Sequence, residues 1–153
     1  MAREWDQDGM LDAVGYEVEM LVHTTSLLGY LGSGGALTWA VLESQLLHVR
    51  NLVEFFYLNP DGPRAGNFVD AWPEVRPDGA ELLSEEPGPL FGDLSDKLAH
   101  IGRHRSDVRG WVPGRLSAGL IETAAVWVAN LPPAARETLI QHRPTLRGLE
   151  ARR

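Results

Sequence analysis

The chain has 153 residues, of which 44% are hydrophobic and five are tryptophan; this is enough for one domain with a sizeable core and excludes a disordered chain. It has no cysteine, which excludes disulfides, thiolate metal sites and thiol nucleophiles. The net charge of −7 argues against general DNA binding, although the charge is uneven: residues 1–96 hold 4 basic and 17 acidic groups, and residues 97–153 hold 10 basic and 4 acidic groups. Either the two parts neutralise one another within the domain, or the second presents an arginine-rich face to phosphate or to an acidic partner.

The polar start, Met1 to Asp6, lacks the basic and apolar regions of a signal peptide. No apolar segment approaches the ~18 residues that span a bilayer. Together with the missing cysteines, this predicts a cytoplasmic protein with no membrane partner.

Helix one is predicted over residues 10–30, where Leu11, Val14, Val18, Leu21, Val22, Thr25 and Leu28 recur at helical steps. His23 lies near this stripe and reads as a core or boundary residue. Gly32 to Gly35 form a tight loop; without the lysine of a phosphate-binding loop or a preceding strand they are only a turn. Helix two follows over 36–58, with Leu37, Val41, Gln45, Val49, Leu52 and Phe56 along one side. A short connection between two long helices predicts an antiparallel hairpin.

Residues 59–90 hold six of the ten prolines and read as a long loop. Phe68, Val69, Trp72, Leu82 and Leu83 within it predict packing against the bundle, as a plug or a flap. Helix three is expected from Asp93 or Ser95 to about His104, with Leu94, Leu98 and Ile101 as its stripe. Pro113 begins helix four, carried by Leu116, Leu120, Ala124, Trp127 and Leu131. Pro132-Pro133 breaks it and starts a short fifth helix through His142, which Pro144 ends; residues 146–153 read as a frayed tail. The predicted fold is all-α: an up-and-down bundle of four main helices plus a short fifth, in a single domain spanning 1–153.

The candidate site lies on helices two and three. His100 and His104 are four apart and share a face, with Arg103 beside them. Three readings are open for them. His100 is a core histidine with His104 on the surface; or both join His48 around a metal such as zinc or nickel; or His100 is an acid/base group that acts on a phosphodiester, with Arg103 or Arg50 as the phosphate clamp. On helix two, Arg50 and Glu54 are spaced to pair, while His48, Asn51 and Phe55 share another face. His48 and Asn51 either belong to a hydrogen-bond network between helices two and three or enter the same cleft as His100. No GxSxG serine motif occurs.

"LLHVRNLVEFF" at 46–56 and "DKLAHIGRHR" at 96–105 resemble a group of uncharacterised bacterial all-helical proteins that are themselves similar to the HEPN superfamily. Its signature is an arginine followed four to six residues later by a histidine, often as RNxxAH. The KLAH ending at His100 resembles the end of that signature; Ser95 stands where the arginine would be, so only His100 carries over. Arg136 and His142 also have a permitted spacing.

The resemblance implies a helical bundle, a homodimer and metal-independent ribonuclease chemistry without a cofactor. It implies RNA binding, with or without cleavage, in a defence or toxin–antitoxin setting. In that setting His100, Arg103 and Arg50 would be catalytic, and His48, Asn51 and His104 would bind. The missing arginine favours the alternative of a non-catalytic interaction or dimerisation module with a protein partner. One histidine on helix two plus HxxxH on a later helix is also similar to the DinB-like metal-binding bundles.

Overall fold

The computed structural model describes residues 6–31, 35–58, 64–79 and 113–149. Helix α1 (Gln7–Leu31) begins at Asp6, whose carboxylate accepts the Gly9 N–H at 3.2 Å and so satisfies one of the unpaired amides of the first turn. Its stripe of Leu11, Val14, Val18 and Leu21 is buried. Helix α2 (Ala36–Val53) continues into a π turn, Glu54–Leu58, and buries Val41, Gln45, His48, Val49, Leu52, Phe55 and Phe56.

Side-chain pairs show that α1 and α2 run antiparallel. Gln45 meets Thr25, and His48, further along α2, meets Glu17, further back along α1. The expected hairpin is therefore present. Leu37 departs from the expected buried side of α2 and is 61% exposed. It sits in the first turn, at the hairpin end, where the last turns of α1 expose Leu27 and Tyr30 in the same way.

Residues 64–79 form a 3-10 turn, Ala65–Asn67, and a one-turn helix α3, Trp72–Val75. This stretch packs as the apolar content of the expected loop suggests: Ala65, Val69 and Trp72 are buried. Trp72 donates its indole N–H to the Phe56 carbonyl at 3.0 Å, capping an oxygen at the end of the π turn. Residues 59–63 and 80–90 of the expected loop, and the whole of the expected helix over 93–104, lie outside the described residues.

Helix α4 (Pro113–Asn130) buries Leu116, Leu120, Ala124 and Trp127, and Leu131 just beyond it. Trp127 is enclosed by Phe55, Phe56 and Phe68, with ring centroids 5.4 to 6.0 Å apart. Helix α5 (Pro133–His142) starts after Pro132, as the proline pair requires. A 3-10 segment, Pro144–Leu149, follows, and its Leu146 and Leu149 are buried. The first part of the expected frayed tail is therefore packed, because these two leucines, three apart, turn the same side of the 3-10 turn to the core.

The fold is all-α, with no strand among the described residues. Its core lies between α1, α2, α4 and α5. Among the described residues, no helix is long and apolar enough to cross a membrane.

Candidate functional site

His48 is 5% exposed and faces α1. Its Nδ1 lies 2.6 Å from Glu17 Oε2 and its Nε2 lies 3.3 Å from Ser44 Oγ. The Tyr16 ring meets the imidazole edge-on, with centroids 5.9 Å apart. The network around His48 joins α2 to α1 through Glu17 and Ser44, which sequence reasoning missed; the partner helix expected for it, helix three, lies outside the described residues. The four-residue step from Ser44 to His48 was legible as a shared helix face; the approach of Glu17 depends on the hairpin register.

Arg50 does not join this centre. Two residues on from His48, it projects from another side of α2, where its Nη2 lies 3.4 Å from Glu54 Oε1, the expected i,i+4 pair. Asn51 is half-buried. His100, Arg103 and His104 lie outside the described residues. Among the described residues there is no group of three or more His, Cys, Asp or Glu that could hold a metal ion.

A second polar centre ties the C-terminal turn to α1. Arg143 grips Asp12 through two bonds, Nε to Oδ1 at 2.9 Å and Nη2 to Oδ2 at 3.0 Å, and its Nη1 reaches Glu19 Oε2 at 3.2 Å. Thr145 donates its hydroxyl to the other Glu19 oxygen. That hydroxyl bond and the Arg143 charge hold the Glu19 carboxyl below the ordinary carboxylate range, against the opposing effect of burial. Burial disfavours the Arg143 cation, but its hydrogen bonds to the Glu19 and Asp12 carboxylates outweigh it and raise its basicity. The guanidinium also stacks over Tyr16, 5.6 Å from the ring centroid. Tyr16 thus stands between the two polar centres. Here an arginine of the basic part of the chain is neutralised by carboxylates of the acidic part.

Arg136 and His142 do not converge. Arg136 Nη2 bonds the Leu131 carbonyl at 3.0 Å, and exposed His142 lies 4.0 Å from Asp12. His23, expected at the core boundary, is exposed, because its helical step falls outside the buried stripe of α1.

The hairpin end has a different chemistry. Tyr30 is 87% exposed, Leu37 61% and Trp39 53%, and Leu27 is also exposed. Residues 20–42, which carry all four, contain no Asp, Glu, Lys or Arg. No protein family, curated protein or solved structure matches the chain.

Proposed function

We propose that the chain is a self-associating helical module that docks on a second copy of itself through the end of the α1–α2 hairpin. The observation that carries this reading is the uncharged span 20–42 with Leu27, Tyr30, Leu37 and Trp39 exposed on it. Exposed large apolar side chains gathered on one uncharged stretch point to an interaction site, and aromatic residues are enriched at interface centres. A second copy is the partner that the charge favours. Two chains of net charge −7 repel overall, and an uncharged end brings them together at little electrostatic cost. A two-fold contact also lets the same patch serve both partners.

Light scattering on the size-separated protein tests this. The expected mass is that of two chains, falling to one chain in Tyr30→Glu and in Leu37→Glu with helical content kept. A single-chain mass for the unaltered protein at about 100 μM, a concentration at which weak but specific dimers form, would overturn it. A dimer that persists in both variants would overturn it as well.

RNA engagement through His100 and Arg103 is the second reading. What favours it is the basic stretch Lys97, Arg103, Arg105 and Arg109, interrupted only by Asp107. Incubation with single-stranded RNA tests it: cleavage that His100→Ala leaves unchanged would remove His100 from the chemistry.

A further inference from the structure

Ser44, His48 and Glu17 are ordered as hydroxyl, Nε2, Nδ1 and carboxylate, with spacings of 3.3 and 2.6 Å. A carboxylate only accepts hydrogen bonds, so the Nδ1 proton of His48 points to Glu17, and in the neutral imidazole Nε2 is left to accept the Ser44 O–H. This arrangement performs acyl transfer on unrelated folds and is recognised by geometry and role, not by chain position or a local sequence motif. Ser44 is half-buried, while the imidazole it meets is enclosed. Exposed Tyr16 packs edge-on against the imidazole, and exposed Leu47 stands three residues along α2 from Ser44.

We propose that Ser44 is a nucleophile, activated by His48, for carboxylic esters with an apolar acyl group. Ser44 Oγ bonds to the ester carbonyl carbon while its proton passes to His48 Nε2. The bond to the leaving alcohol then breaks, and the alcohol takes that proton from His48. Water attacks the acyl-serine in the same way, giving a proton to His48; the bond from the acyl carbon to Ser44 Oγ then breaks, Oγ takes that proton from His48, and the carboxylic acid departs. Glu17 is a positioning residue: it holds the imidazole in the required tautomer and balances the imidazolium. Tyr16 and Leu47 provide the apolar rim that selects the acyl group. Activated esters are the substrates that ask least of such a site, because a good leaving group needs little further assistance. Ser44 lies two turns along α2 from Leu37, so this centre does not depend on the hairpin-end contact.

A fluorophosphonate probe, whose fluoride Ser44 Oγ displaces, tests the assignment, with p-nitrophenyl butyrate hydrolysis measured in parallel. Intact mass and peptide mapping are expected to show one adduct, on Ser44, absent from Ser44→Ala. His48→Gln should slow adduct formation by about a hundredfold, the scale of general-base assistance. Glu17→Gln should slow it while Glu17→Asp restores part of the rate, a rescue that loss of packing alone would not give. No adduct on Ser44 overturns the proposal. So does labelling of His48→Gln at the unaltered rate with the helical spectrum intact. If His48→Gln unfolds, the Ser44 adduct on the unaltered protein decides: its presence supports the assignment and its absence overturns it.

Discussion

Arg143 and Asp12 are 131 positions apart in the chain and meet through two parallel bonds of 2.9 and 3.0 Å. The fork of a guanidinium matches a carboxylate in this way and a lysine cannot. With Glu19, Thr145 and the Tyr16 ring, the pair fastens the chain after α5 onto α1.

Arg143→Lys is therefore expected to cost about 1 kcal/mol, the upper range for partly exposed pairs. For a domain of this size that lowers the melting temperature by roughly 2–4 °C. Glu19 adds a pH signature. Its carboxyl is depressed in the fold, so its contribution is present above the ordinary carboxylate range and is lost as the pH falls through the lower, folded value. Thermal melts should show the gap between the unaltered protein and Thr145→Ala closing in acid; a gap independent of pH would contradict this role.

Two glycines of α1 should respond in opposite directions to the same change. A Cβ on Gly15 would stand 2.7 Å from Leu139 Cδ1 and 3.1 Å from Arg143 Cγ, and Leu139 is held in the core. Gly15→Ala should destabilise by about 1 kcal/mol, because overpacking exceeds the gain in helix propensity. Gly29 has nothing within 4 Å of such a carbon. Gly29→Ala should stabilise by about 0.5–1 kcal/mol. Urea denaturation of both variants checks the pair.

Trp72 tests whether the segment after the π turn belongs to the core. Trp72→Ala should cost about 3–5 kcal/mol through the lost burial. Trp72→Phe should cost about 1–2 kcal/mol, because it keeps most of the apolar contact but leaves the Phe56 carbonyl without its donor. Equal, small losses in both would mean that residues 64–79 contribute little to folding.

Much of this architecture was readable from spacing. Val14, Val18 and Leu21, or Leu116, Leu120 and Trp127, recur at helical steps and are buried as that recurrence requires. Pro113 and Pro133 each open a helix, and proline's fixed backbone angle makes such starts visible in a sequence. Leu37 misled because periodicity reports a helix face without reporting whether a neighbour reaches that turn. The tail misled because Leu146 and Leu149 are too few to show a pattern. The polar centres were the least legible. Glu17 meets His48, and Arg143 meets Asp12, only once the helices are set side by side, and no local spacing encodes those distances. Of the expected site, Arg50 pairs with Glu54 on a different face from His48, as their spacing indicated, while Ser44, without a motif of its own, faces the histidine.

The clasp between residues 12 and 143 has a consequence for biosynthesis. Helix α1 meets this anchor only after residue 143 has emerged from the ribosome. Until then Asp12 and Glu19 face water, and α1 relies on its hairpin with α2. Closing so long a loop is slow compared with forming local helices. During synthesis α1 therefore depends on its hairpin with α2 until this latch, 131 positions further along the chain, becomes available.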